Sequence, residues 1–305
     1  MHLNVILFYA IATIILLIIA RFVNQFIIKT NLTDILIVKD NPAEGVAWAG
    51  YVFAVFMIIA ATLSGSGYDT LLLNIKWTAI FGIGGIIFLA LIAKFGIQLI
   101  TSGDTLKLIK EGNKAAGILL AGAFIAIASI ISGAISGDIA SETALILKPQ
   151  ISITQNGELI SSSTNSYLPI LVFFIMGLVI FFIITYLYRF LTAYNDSKEI
   201  ANGNVAVALS YSGLMIGIAI VVGNALFGQF NGWSDSILEF LKALIVVVIF
   251  YPIRQWLVQG ILLGAGFSIY GGRLDKEIGE QRNLAAGIIE AATYIATGIL
   301  AVKLL

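Results

Sequence analysis

The sequence predicts an all-α membrane protein: eight transmembrane helices, arranged as four parallel-oriented two-helix repeats, with a small β-hairpin in the central outer loop. Three observations predict it. Hydrophobic residues make up 59% of the chain and charged residues 11%, with a mean hydropathy of +1.01. A soluble domain carries about a quarter charged residues, so the solvent for this chain is a bilayer. An apolar stretch led by Asn recurs four times, at residues 40–65, 110–137, 202–228 and 281–305. Lys and Arg gather in alternate connections.

The apolar runs are 3–28, 41–64, 74–100, 113–136, 167–194, 204–227, 237–264 and 283–305. Each reaches the roughly 20 residues a spanning helix needs. The first run lacks a basic lead and a small-residue cleavage site, so it reads as a retained helix. Each repeat is then an outer helix, a polar turn and an Asn-led inner helix. Two spans per repeat keep every repeat the same way round, unlike the inverted repeats of many transporters.

Aligning the copies on Asn41, Asn113, Asn204 and Asn283 brings small residues into register. Two positions on stand Ala43, Ala115, Ala206 and Ala285; four on, Gly45, Gly117, Ala208 and Gly287. Eight on stand Ala49, Ala121, Ser212 and Ala291; nine on, Gly50, Gly122, Gly213 and Ala292. Thirteen on stand Ala54, Ala126, Gly217 and Ala296. At about 100° per residue, offsets 0, 4 and 8 form one stripe and offsets 2, 9 and 13 another on roughly the opposite face. Small residues let helices approach closely in lipid, where packing replaces the hydrophobic effect as the glue. The inner helices are therefore expected to be sandwiched between neighbours, with close contacts at Gly45, Gly50, Gly117, Gly122, Gly213, Gly217 and Gly287. The alternative is that Gly and Ala are simply frequent in membrane helices.

Orientation follows from charge. The turns after the first, third, fifth and seventh helices, with their flanks, hold thirteen Lys and Arg residues, against four on the other side. The positive side faces the cytoplasm, which puts both termini outside. The one long connection, 138–166, carries Ile151, Ile153 and Leu159 around Asn156-Gly157, a hairpin signal. It divides the chain into a first membrane domain (1–137) and a second (167–305). The cytoplasmic turns NLTDILIVKDN, GDTLKLIKEGN and GGRLDKEIGEQRN are amphipathic. They read either as segments lying in the headgroup region or as solvated turns.

Composition narrows the chemistry. There is no Cys, and His2 is the only histidine, which removes thiol chemistry, the usual general base and the usual transition-metal site. Lys plus Arg equals Asp plus Glu, 17 each, so no basic excess points to nucleic acid. No cofactor or metal is implied, and an intramembrane enzyme would lack the paired groups it needs. Each lead Asn reads either as an N-cap or as one amide in a ring around a cytoplasmic mouth that could hold an ion or lipid headgroup. In the first copy Asn41, Pro42 and Glu44 form a capping-box arrangement. Glu290 lies seven residues into the last helix, and an intramembrane carboxylate is costly. Arg254 is its expected partner, because a hairpin with its apex at Gly271-Gly272 puts both at one depth. The pair reads as a structural lock, as a proton or ion site, or, unpaired, as a snorkelling Glu. Pro252 predicts a kink in the seventh helix.

A charged turn, Gly-Asn, Ala-Ala-Gly and an exit Ser-Gly-Ala-Ile-Ser-Gly, most specific along EGNKAAGILLAG (111–122), resembles the bacterial inner-membrane family called domain of unknown function 350. The resemblance covers nearly the whole chain as two tandem copies. The last repeat departs from it, with Gln281-Arg282 as lead and Glu290 inside the helix. The family has no established activity. Its genes often neighbour those for phage-shock-type membrane-remodelling coat proteins and ATP-grasp ligases, which implies a cytoplasmic membrane-remodelling partner at a stressed inner membrane. The expected function is a non-enzymatic membrane-stress scaffold or sensor in the lipid bilayer, with a homo-oligomer as a further expectation. The alternative is an ion channel or small-solute transporter with its path among the inner helices.

Overall fold

A computed structural model of the chain describes residues 3–29, 31–64, 71–101, 103–136, 152–153, 159–160, 167–227, 233–264, 266, 268 and 270–304. Among these residues eight helices are long and apolar enough to cross a membrane. The outer ones are α1 (Leu3–Ile27), α3 (Leu71–Ile100), α6 (Tyr167–Tyr188) and α9 (Trp233–Trp256). The inner ones are α2 (Pro42–Ser64), α5 (Lys114–Ser136), α8 (Val205–Ala225) and α10 (Leu284–Val302).

Every turn from an outer to an inner helix carries a short helical piece of its own. These are a π turn at Asp34–Lys39, α4 (Thr105–Lys110), α7 (Asp196–Ala201), and Arg273–Asp275 running into a π turn at Lys276–Glu280. Asp104 and Asn195 start two of them by accepting the backbone N–H of Lys107 and Lys198, both at 3.1 Å. Residue 195 therefore opens a new helix, which is why α6 stops at Tyr188 and not at 194 as its apolar run suggests. Pro252 lies inside α9, which continues to Trp256 and then widens into a π turn at Leu257–Leu262.

The inner helices stand side by side in one row, in the order α2, α5, α8, α10. The outer helices form a second layer: α3 packs on α2 and α5, α6 on α5 and α8, and α9 on α8 and α10. The row is held by backbone contact. A methyl group added at Gly50 would land on Ala121, one at Gly122 on Ser212, and one at Gly213 on Ala291. The same pair of repeat positions meets three times. Gly117 lies on the backbone of Ala43 and Gly287 on that of Ala206. Contacts therefore run in the same order along both helices of each pair. Further glycines that the repeat alignment did not single out make the tightest approaches: Gly133 meets Gly223 backbone to backbone, and Gly298 meets Gly217. The α5–α8 contact joins residues on either side of the long connection as intimately as α2 joins α5.

In that connection the described residues include two short strands, β1 (Ser152–Ile153) and β2 (Leu159–Ile160), paired antiparallel with Ser152 opposite Ile160. The Asn156-Gly157 turn lies outside the described residues, as do the boundaries at 137–138 and 166. Apart from these two strands the regular structure of the described residues is helical.

Candidate functional site

The four lead Asn residues all cap their helices. Asn41 Oδ1 accepts the N–H of Ala43 at 3.0 Å, Asn113 that of Ala116 at 3.0 Å, Asn204 that of Ala206 at 3.1 Å and Asn283 that of Ala286 at 3.3 Å. Three of them do a second job. Asn41 Nδ2 donates to the carbonyls of Ile109 and Lys110 at the end of α4, at 3.0 and 3.4 Å. Asn113 Nδ2 donates to Ile200 and Ala201 at the end of α7, at 2.9 and 3.0 Å. Asn204 Nδ2 donates to Ile278 and Gly279 in the last turn, at 3.0 and 3.3 Å. Each amide thus satisfies two helix ends at once, the orphan N–H groups of its own helix and the orphan carbonyls of the next turn. Asn283 Nδ2 reaches Glu277 Oε2 at 2.9 Å instead.

This corrects the expectation of a ring of Asn around a mouth. The four lie along a row, with Asn41 and Asn283 on helices at its two ends, and their amide oxygens are taken up as caps. The capping box at Glu44 is also corrected. The Glu44 N–H approaches Asn41 Oδ1 at 3.4 Å, but the carboxylate does not return a bond to the Asn41 N–H. Glu44 is 2% exposed, and its Oε1 is buried without a partner among the described residues, in a pocket lined by Asn24, Trp48, Leu106 and Phe124. Gly45 is a third correction, since no described atom lies within 4 Å of where its methyl group would sit.

Arg254 and Glu290 meet in the bundle, 3.2 Å apart and 3% exposed each. The Gly271 turn, with φ +65, brings their helices together. The guanidinium is fully engaged. Nη1 donates to Glu290 Oε1 and, at 2.6 Å, to Gln255 Oε1. Nε and Nη2 donate to Thr293 Oγ1 at 3.1 and 2.6 Å, and Nη2 also to the Glu290 carbonyl at 3.2 Å. Its plane lies 3.7 Å from the centre of the Tyr294 ring. Ser210 donates to Glu290 Oε2 at 2.6 Å, so α8, α9 and α10 share one polar knot. A lone charge there would be expensive, and a saturated pair is the arrangement that makes both tolerable. An apolar pocket lined by Leu214, Val247, Tyr251 and Tyr294 reaches Arg254 from one side.

Two buried acids at the turns escaped the sequence reading. Asp196 accepts from Thr192 Oγ1 at 3.0 Å, and burial pushes its carboxyl up to about 7 despite that bond and the nearby Arg189. Asp275 accepts the N–H groups of Ala193 and Gly271 at 3.2 and 3.0 Å, and burial raises it to about 6, helped by the neighbouring Glu290 charge. Both stand in turns, where Asp ordinarily reads as a solvated cap, so nothing local marks them as buried. Asp275, Tyr194, Glu199 and Arg282 line a third pocket, at the turns, where Arg282 lies 3.7 Å from Glu199.

The sequence is 27% identical over 135 residues to a UPF0719 transmembrane protein of Aquifex aeolicus (strain VF5). That alignment covers 43% of this chain and 46% of that protein. No solved structure matches. The model of the Domain of Unknown Function (DUF350) family matches residues 1–94, 70–154 and 161–305. With repeated matches along a chain of eight membrane-length helices, this multi-pass transmembrane protein belongs to the DUF350 family.

Proposed function

We propose that the protein is a non-enzymatic scaffold or sensor of the bacterial inner membrane, built from four two-helix units facing the same way, with both termini outside. In this reading domains 1–137 and 167–305 act as one row, and the short helical turns form a cytoplasmic platform for a membrane-associated partner. The observation that carries it is the Asn stitching. Asn41, Asn113 and Asn204 each fasten an inner helix to the next turn, so a change in helix spacing moves the platform with it. The platform has apolar residues to offer: Ile37 is 77% exposed and Val38 75%. Backbone contact along the row also leaves little room for a path between inner helices.

The alternative, a channel or transporter, is favoured by one feature. The Arg254–Glu290 knot lies beside an apolar pocket, and Glu290 acts electrostatically on Asp275, which lines the charged pocket at the turns. Charge-selective flux across reconstituted bilayers separates the two. The scaffold predicts none above protein-free vesicles; a selective flux abolished by Glu290→Gln overturns it.

A further inference from the structure

The contact between successive inner helices uses one stripe from each. The forward stripe, at offsets 2, 6, 9, 13 and 17 from the lead Asn, is buried throughout in α2 (Ala43, Ala47, Gly50, Ala54, Ile58). It is as well covered in α5 and α8, except that in α10 all five residues are exposed: Ala285, Ile289, Ala292, Ala296 and Leu300. The rear stripe, at offsets 4, 8, 11 and 15, is covered by the preceding helix in α5, α8 and α10. In α2 it is open: no described atom lies within 4 Å of where a methyl group on Gly45 would sit, and Ala49, Val52 and Phe56 are exposed. The hydrogen bonds break at the same two places. Asn283 reaches no carbonyl of a following turn, and among the described residues no Asn reaches Ile37 or Val38, the counterparts of the carbonyl pairs at 109–110 and 200–201.

We propose that these two edges are the halves of a fourth copy of the same contact: the α10 edge of one molecule docks head to tail on the α2 edge of a second copy. The occupant follows from continuity with the three contacts inside the chain, and so does the register. Ala292 lies against Ala49, as Gly50 does against Ala121; Ala285 lies against Gly45, as Ala43 does against Gly117. Asn283 turns its free N–H onto the carbonyls of Ile37 and Val38. The small residues on the two edges, Ala285, Ala292 and Ala296 on one and Gly45 and Ala49 on the other, let a helix backbone approach closely, as the small residues inside the row do. The contact is heterologous, so it closes a ring or runs on as an array. It is independent of whether the protein conducts.

The chain contains no Cys, so the register can be read by disulfide trapping. Ala49→Cys and Ala292→Cys are made in separate molecules, mixed in one reconstituted membrane and oxidised. A linked dimer is expected in the mixture and in neither protein alone, and Asn283→Ala in the Ala292→Cys partner should cut its yield several-fold. Gly45→Cys mixed with Ala285→Cys tests the same register should either first variant lose its thermal transition. The proposal is overturned if both mixtures link no better than Ala49→Cys mixed with Ile245→Cys on the lipid-exposed face of α9. It is equally overturned if Ala292→Cys links to itself as readily, which would mean a symmetric contact, or if Asn283→Ala leaves the yield unchanged.

Discussion

Changing Glu290 to Gln removes the only charge facing Arg254 within salt-bridge distance in the described structure. The guanidinium keeps Gln255, Thr293, the Glu290 carbonyl and the Tyr294 ring, so its hydrogen bonds survive while its charge is left uncompensated. Breaking a buried pair by removing one partner costs about 3–5 kcal/mol. The surviving donors' partners place this site near the lower figure. Arg254→Gln in the wild-type background leaves Glu290 with only the Ser210 hydroxyl at 2.6 Å, so it should cost more. The double change leaves no lone charge and should recover most of the loss. The assay is thermal unfolding in detergent for all four members of a double-mutant cycle, with a coupling energy of about 2 kcal/mol or more expected. Additive effects, or single variants as stable as the parent, would refute the pairing and leave Glu290 to be explained by access to water.

Other perturbations separate the remaining contacts. Asn204→Ala should destabilise by about 2–4 kcal/mol, a lost cap plus buried carbonyls left unpaired, whereas Asn283→Ala should cost the cap and an exposed bond to Glu277, about 1 kcal/mol; equal losses in thermal unfolding would deny the stitch. Gly122→Leu and Gly213→Leu should each cost roughly 1–3 kcal/mol or more, because Ser212 and the Ala291 backbone fill the space, while Gly45→Leu leaves the monomer's melting temperature unchanged. Asp196 has its carboxyl raised from 3.8 to about 7, so the folded state holds an extra proton between those values. Its contribution is present below about pH 4 and is lost as pH rises through 7, and Asp196→Asn should flatten that part of the stability–pH curve. For orientation, Cys introduced at Glu111 and at Lys303 should label from opposite sides of the membrane; same-side labelling removes the proposed topology.

Much of this was legible because the repeat reports on itself. Small residues aligned on four Asn positions locate the inner helices, and Gly50, Gly122 and Gly213 fall where backbones touch. The hairpin count around Gly271 brings Arg254 to Glu290. What escaped was set by context beyond the repeat unit. A capping amide looks the same whether its N–H groups face water or the next turn, so the sequence carries the cap, and leaves a mouth open beside it, but does not carry the stitch. Gly45 obeys the repeat but stands at the end of the row, where no preceding inner helix exists within the described residues to meet it. Glu44 has a cap-box spacing, yet its side chain is drawn into a pocket beside Asn24 and Trp48. Asp196 and Asp275 are buried by folding of the turns themselves, which local polarity does not announce.

The row itself is tested by one distance. Spin labels at Ala49 on α2 and Ala292 on α10, in molecules diluted with unlabelled protein so that only intramolecular pairs are read, span the two ends. Neighbouring helices lie about 8–10 Å apart, so an open row of four predicts a separation of several spacings, roughly 15–30 Å. A distance of about 10 Å, one helix spacing, would mean that the inner helices close on themselves and would contradict the account.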